Sequence, residues 1–332
     1  MDSPSLYSVG AVAIGRNEGL RLQRCLESLR RHLEYVVYVD SGSEDNSVEM
    51  AKDLGVEVVE LDTSIPFTAA RARNAGAERL FEKWPELESI QFVDGDCEVF
   101  DPWLPAAYET LEKHPEAGMV AGIRRERKKD ETVYNLLCHL EWDGARGEVL
   151  ASGGDFLVRS EVYKKVDGFN PSVIAAEDDE FCVRVRSAGW KILRIDVDMT
   201  GHDAAMKTFG QWWKRAVRAG HGYAQVGDLH SDYFVRERMR TLAWGIGVPA
   251  FAILLAIFTK GWGLLILGLY PLSFANTFRH QLRSGIGMKA ALAHAWFLTL
   301  AKFPNAQGML TYYRRKLMGD SYNIIEYKSA ND

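Results

Sequence analysis

The chain has 332 residues, of which 47% are hydrophobic and 26% charged, with a formal net charge of −5. This length suits one large α/β domain plus an appendage. The acidic balance argues against a nucleic-acid partner, and the spacing of Cys25, Cys97, Cys138 and Cys182, with no C-x-x-C pair, excludes a zinc knuckle or disulfide framework.

The thiols read as small buried hydrophobes in a reducing compartment. MDSPSLYS is short and polar, so no signal peptide is expected before the first strand. Ser8–Ile14 is that strand, a continuous apolar run. Leu22, Leu26, Leu29 and Leu33 recur at helical spacing within Leu20–Leu33. Strands follow at Tyr35–Val39, Val56–Leu61 and Ile90–Val93, with helices at Asn46–Leu54, Ala69–Phe81 and Pro102–Lys113. Such alternation predicts a mostly parallel sheet covered on both faces. Polar clusters fall just after the strands, where open α/β sheets bind ligands. Beyond Met119–Gly122 the pattern becomes irregular. The charged run Arg124–Asp130 reads as a mobile loop or, more simply, a plain solvated face, Ser160–Lys165, Asp178–Ser187 and Phe209–Ala219 as helices, and Lys191–Ile195 as a strand.

The tail differs in character. From Arg236 onward there are 12 Lys and Arg against 4 Asp and Glu, whereas the preceding residues carry 28 against 41. Leu242–Phe258 and Trp262–Asn276 are uncharged runs separated by Thr259-Lys260-Gly261. Each is slightly short of the ~20 residues that a membrane span prefers. Together they predict a hydrophobic helical hairpin, about 242–276, with Arg236, Arg238 and Arg240 on one flank and Arg279 and Arg283 on the other. The positive-inside rule then places both flanks, and the body of the protein, on the cytoplasmic side. The alternative is a core hairpin of a soluble domain. Met288–Phe303 reads as an amphipathic interfacial helix. The expected division is therefore 1–235 and 236–332.

The strongest chemical signal is Ile90–Glu98, IQFVDGDCE. A buried strand brings Asp94 and Asp96 to its C-terminal edge, one residue apart. Carboxylates this close repel unless positive charge sits between them. A hard divalent cation, Mg²⁺ or Mn²⁺, answers that need, with phosphate oxygens completing its shell. Gly95 would allow close approach of a phosphate. A solvated turn is the simpler reading. Glu177-Asp178-Asp179-Glu180 is four acids in a row at an expected helix N-terminus, more than dipole compensation requires.

Around these lie Gly15-Arg16-Asn17-Glu18, Asp40-Ser41-Gly42-Ser43, Ala72-Arg73-Asn74-Ala75-Gly76, Gly153-Gly154-Asp155, Gly168-Phe169, His202-Asp203 and Gln211-Trp212-Trp213-Lys214-Arg215. In this order they resemble the family 2 glycosyltransferases, over roughly residues 8–225. The resemblance implies an α/β GT-A domain, Rossmann-like, with a C-terminal helical membrane-associated segment. It implies inverting transfer from a nucleotide-diphospho-sugar, UDP- or GDP-linked, to a lipid-linked or glycan acceptor at the inner face of the plasma membrane, in cell-surface polysaccharide biosynthesis. Asn17, Glu18, Asp40, Ser41, Arg73, Asp94, Gly95, Gly154 and Arg215 would bind the nucleotide sugar. Asp96 and His202 would hold the metal, and Asp178, with Asp179 as the other candidate, would remove the acceptor's proton. Asp40 can accept the imide N–H of a uracil, although Asp and Ser also cap turns after strands. The chain departs from relatives that carry Q-x-x-R-W, since no Trp follows Arg215. Transfer to polyprenyl phosphate and a non-catalytic nucleotide-sugar-binding scaffold are the alternatives. A nucleotidyltransferase would need a Gly-rich basic loop after the first strand, which Gly15-Arg16-Asn17-Glu18 is not.

Overall fold

Alternation of strand and helix persists well past the point where the sequence pattern fades. The computed structural model describes residues 8–319 together with Leu6 and Ile325. They fall into two compact units. The first comprises residues up to Lys129 with Cys138–Ala205, and the second Asp130–Leu137 with the residues from Met206 onward.

The first unit starts with β1 (Val9–Gly15), α1 (Leu20–Arg30), β2 (Tyr35–Asp40), α2 (Ser47–Asp53), β3 (Glu57–Glu60), α3 (Ala69–Lys83) and β4 (Ser89–Asp94). It continues with β5 (Cys97–Val99), α4 (Trp103–Lys113), β6 (Ala117–Glu126), α5 (Val133–Trp142), β7 (Gly147–Glu148), β8 (Phe156–Arg159), α6 (Ser160–Lys165), α7 (Glu177–Ser187) and β9 (Lys191–His202). Helix α5 crosses the division between the units at 137/138.

The sheet order is β3-β2-β1-β4-β8-β6-β9-β5, with β7 on β9. Strands β3, β2, β1 and β4 are parallel, as are β6 and β9. Strand β8 runs antiparallel between β4 and β6, and β5 antiparallel on β9. Large side chains fill both faces. Leu22, Leu26, Leu29 and Trp103 lie in one core layer, and Phe92, Phe156, Phe169 and Phe181 in the other. Gly76 lets α3 lie directly on the sheet, because a Cβ there would come within 2.3 Å of Val12 Cγ1. The parallel register aligns Gly15 with Asp40 and Ile14 with Asp94, so three strands end together.

Two expectations change here. Arg124–Asp130 is not a loop throughout, because Arg124, Arg125 and Glu126 complete β6. His202 does not follow the last strand but ends it, since β9 runs to residue 202 rather than 195. Register irregularities between Ala117 and Met119 and between Ala121 and Arg124 break the period-2 pattern that would have revealed both extensions.

The second unit holds α8 (Phe209–Leu229), α9 (Val235–Leu242), α10 (Val248–Phe258), α11 (Leu269–Arg283), α12 (Met288–Leu300) and α13 (Lys302–Met318). A π segment at Ala243–Gly247 joins α9 to α10, making Val235–Phe258 one helix of 24 residues, long and apolar enough to cross a membrane. At 1.5 Å per residue it extends about 36 Å. The turn at 259–261 uses Lys260 at φ 50° and Gly261 at φ 98°, and the return leg begins as a 3₁₀ segment, Trp262–Gly268.

Helix α12 is not amphipathic as expected. Its small residues Ala291 and Ala295 are fully buried, while Leu292 and Trp296 are exposed. Helices α8 and α13 approach at glycines. A Cβ on Gly220 would lie 2.0 Å from Asn305 O, and one on Gly308 2.0 Å from Val217 O. Helix α8, placed by the sequence with the body, thus packs within the second unit.

Candidate active site

Two turns form one wall. Asn17 adopts φ 56° after β1. Its N–H donates to Ser43 Oγ (2.9 Å), and its Oδ1 accepts from Glu44 N–H (2.8 Å). The loops after β1 and β2 are thereby stitched together, and Ser41 N–H adds a bond to Gly15 O at 3.0 Å. The Asp40 carboxylate accepts from Tyr38 Oη (2.7 Å), Gly42 N–H (2.9 Å), Ser43 N–H (2.8 Å) and Ser43 Oγ (2.5 Å). Two carboxylate oxygens offer about four acceptor sites, so the turn itself occupies Asp40. Glu18 is partly exposed beside these loops and pairs with Arg21 at 2.9 Å.

Asp94 and Asp96 have separate roles in the structure. Asp94 is clamped by two guanidinium groups, Arg73 Nη2 at 2.8 Å and Arg124 Nη2 at 3.3 Å. Burial resists its ionisation, but Arg73 and then Arg124 outweigh that and hold the carboxyl below the ordinary range. Arg73 is 2% exposed and its other terminal nitrogen meets Glu177 Oε1 at 2.8 Å. Held between two acids by its two terminal nitrogens, it positions Asp94 within the protein. Gly154 makes room, because a Cβ there would fall 2.1 Å from Arg73 Nη2. Gly95 similarly approaches β1: its N–H donates to Ile14 O at 2.8 Å, and a Cβ would lie 3.0 Å from that oxygen.

The charged run supplies the opposite wall. In β6 side chains alternate, so Arg124 and Glu126 face inward. Arg125 faces outward to Asp198 (2.8 Å), and Arg127, just past the strand, pairs with Glu98. Arg124 Nη2 lies 2.8 Å from Asp155 Oδ2. Asp155, fully buried, also accepts from Asp94 N–H (3.0 Å) and Thr200 Oγ1 (2.7 Å).

Asp96, 7% exposed, brings Oδ2 to 3.2 Å from His202 Nε2. Burial opposes charge on His202, but Asp96 and Glu126 outweigh it and raise its pKa. Trp142 packs on the imidazole, ring centroids 4.6 Å apart at 78°. Cys97 Sγ sits beside Asp96 Oδ1 at 3.6 Å, and burial pushes its thiol up, leaving it a protonated neighbour. The ligand atoms of Asp96, Cys97 and His202 lie within 4.8 Å of one another, close enough to hold a metal ion, and the carboxylate and imidazole among them suit Mg²⁺ or Mn²⁺.

Helix α7 begins after Ala176 at φ 58° and sorts its four acids by face. Glu177 holds Arg73, and Glu180 holds Arg184 at 2.8 Å. Asp178 and Asp179 stay partly exposed. Burial, then the charges of Glu177 and Asp179, push the Asp178 carboxyl up to about 8. The Cβ position of Gly153 is 3.9 Å from both Asp178 Oδ2 and Arg124 Cζ. Through Arg124 the acids of α7 and of β4 thus border one space.

A family model described as glycosyl transferase family 2 matches residues 12–160. Residues 12–160 thus carry the family 2 glycosyltransferase pattern, and the fold is GT-A. Among solved structures, a mannosyltransferase of Pyrobaculum calidifontis, in complex with GDP-Man and Mn²⁺, superposes with TM-score 0.60 at 18% identity. That alignment covers 90% of this chain and 88% of the other. GalNAc-T7 with UDP, GalNAc and Mn²⁺ gives 0.53 at 15% identity, over 74% of this chain and 51% of that one. Likeness at such identities is one of fold. Among curated proteins, a TPR repeat-containing protein of Synechococcus elongatus is 26% identical over 136 residues, 37% of this chain and 32% of that protein. The match thus spans about a third of that relative's length.

Asn17, Glu18, Asp40, Ser41, Arg73, Asp94, Gly95, Asp96, Gly154, Asp178, Asp179 and His202 all lie in the first unit. Arg215 stands on α8 of the second. Arg124, Glu126, Trp142, Asp155 and Glu177 were not singled out for roles. The one signal for Arg124 and Glu126 is alternation within a charged run, which a solvated loop also tolerates. Asp155 is foreshadowed only by its place after Gly153-Gly154.

Proposed function

We propose that the protein is an inverting glycosyltransferase using a UDP- or GDP-linked sugar and a lipid-linked glycan acceptor at the cytoplasmic face of a membrane, in cell-surface polysaccharide synthesis. The observation that carries the catalytic part is that Asp178 Oδ2 and the guanidinium carbon of Arg124, which pairs with Asp94, each lie 3.9 Å from the Cβ position of Gly153. Ionised Asp178 accepts the proton of the acceptor hydroxyl. The acceptor oxygen forms its bond to the anomeric carbon from the face opposite the leaving group. The bond to the diphosphate breaks, and its electron pair departs with the diphosphate. Asp96 and His202 would hold the Mg²⁺ or Mn²⁺, which when bound offsets charge on the leaving diphosphate. Arg73 and Arg124 keep Asp94 ionised, and Asp155 holds Arg124 and the backbone N–H of Asp94 in place.

Exposed Phe251, Ile257, Phe258, Trp262 and Leu265, bounded by Arg236, Arg240, Arg279 and Arg283, support membrane attachment. Hydrolysis of a panel of nucleotide sugars by the full chain, followed as nucleoside diphosphate release, tests the activity. The scaffold reading requires donor binding with no release from any donor. Released pyrophosphate would indicate nucleotidyl transfer instead.

Transfer to polyprenyl phosphate keeps a place because Asp178, at about 8, is mostly protonated near neutrality. A phosphate acceptor is already ionised and needs no base. With that acceptor Asp178→Asn should be nearly as active as the parent, whereas with a hydroxyl acceptor it should be severely impaired.

A further inference from the structure

We infer that Glu126 is a positioning residue for the divalent-cation site, fixing the tautomer and orientation of His202 so that Nε2 is offered to the ion beside Asp96. The inference rests on the reading that Asp96 and His202 hold the cation.

The β6–β9 register makes Glu126 and His202 direct partners on adjacent parallel strands. Glu126 is 4% exposed, and its carboxylate is anchored independently of the histidine. Oε1 accepts from Lys128 N–H at 2.9 Å, and Oε2 from Ala204 N–H at 2.9 Å. A carboxylate so held keeps acceptor capacity, and Oε2 lies 3.7 Å from His202 Nδ1. That nitrogen is buried with no hydrogen-bond partner. Nε2 faces the other way, 3.2 Å from Asp96 Oδ2, and Trp142 restricts rotation of the ring.

One imidazole nitrogen therefore sees a fixed anion from the strand beside it, and the other sees the candidate metal-ligating carboxylate. With a cation held by Nε2 and Asp96, the imidazole's one proton would be left on Nδ1, aimed at Glu126. This is the outer-sphere arrangement by which carboxylates orient histidine ligands. A carboxylate used only to tie the turn after β6 would need its two backbone bonds but no approach to the histidine. Burying an anion is costly without a compensating partner, and a histidine–cation pair supplies one.

The test is titration of the full chain with Mn²⁺ alone, donor absent, read from the electron paramagnetic resonance signal of free Mn²⁺. Glu126→Gln should bind Mn²⁺ about 10–100-fold more weakly than the parent. With Mg²⁺, the ¹⁵N imidazole spectrum of His202 should show the Nδ1–H tautomer in the parent and a mixture in the variant. Glu126→Asp keeps the charge and serves if Glu126→Gln does not fold; its shorter side chain should weaken Mn²⁺ to an intermediate degree. Asp96→Ala and His202→Ala are the references. Mn²⁺ affinity within twofold of the parent in folded Glu126 variants, with His202→Ala more than tenfold weaker, overturns the role of Glu126 alone. Unchanged affinity in Asp96→Ala and His202→Ala removes the cation site, and this inference with it.

Discussion

The two units of this chain differ in how much of their large apolar side chains they expose. In the first, Leu26, Phe92, Trp103 and Phe156 are fully enclosed. In the second, the enclosed residues include Ala252, Ala291 and Ala295, and Phe258, Trp262 and Leu265 are exposed. The first unit draws its stability from removing large apolar area from water. In the second, close backbone approach at Gly220 and Gly308 leaves apolar bulk facing outward, as in helices packed within lipid. A charge network such as Arg73–Asp94–Arg124–Asp155 belongs with the first pattern, where the sheet and α3 hold its members at ion-pair distance.

The largest expected effect lies in that network's neighbour. Asp178→Asn should lower turnover on a hydroxyl acceptor by about 10²–10⁴-fold at saturating donor, with donor affinity little changed. Near-normal turnover in Asp178→Asn with a dead Asp179→Asn would move the base by one residue. Its pH dependence is signed. Because the folded protein raises this carboxyl to about 8, kcat/KM should climb with pH through that region, and the limb should vanish in Asp178→Asn. Ionisation is also what the fold disfavours, so the same substitution should raise Tm at about pH 9 and leave it unchanged near the unfolded-state pKa of about 4.

Next in size is Arg73→Met, which leaves Asp94 and buried Glu177 without their cation. Loss of about 3–5 kcal/mol is expected in chemical denaturation of the full chain in detergent. A loss below about 1 kcal/mol would mean that Arg124 alone suffices.

Leu26→Ala and Ile257→Ala compare the units directly. The first should cost about 2–5 kcal/mol. The second, at a residue 71% exposed, should stay within about 0.5 kcal/mol in detergent. Equal costs would break the contrast. The smallest effect on stability, and the most telling for attachment, is Phe258→Ser with Trp262→Ser. Their expected outcome is unchanged melting in detergent and reduced sedimentation with lipid vesicles. Full-length protein that stays monodisperse without detergent would make the hairpin a core element instead.

Much of the site was legible because its residues sit where local patterns end. A strand's apolar run stops at Asp94, and an acidic run opens a helix at Glu177, so chain-local signals suffice to find them. The clamp that holds Asp94, and not Asp96, between two guanidinium groups was not legible. It depends on Arg73, 21 residues upstream, and on Arg124, 30 residues downstream, meeting one carboxylate. Gly95 and Gly154 were recognisable as special, but the reason each must be glycine is a neighbouring backbone oxygen or guanidinium rather than a ligand.

Composition and periodicity determined that an acidic α/β body precedes a basic apolar tail, and that carboxylates gather after its strands. These are properties of short segments, set by side-chain spacing along one helix or strand. Only the tertiary structure decided that a charged run becomes the inner edge of β6. Strand β9, more than 65 residues later in the chain, supplies its partner and sets its register. Bulges hide that register from any reading of one strand alone. The same long-range pairing places Glu126 against His202 and Arg124 against Thr200, because a sheet's alternation acquires chemical meaning only once its neighbouring strand is chosen.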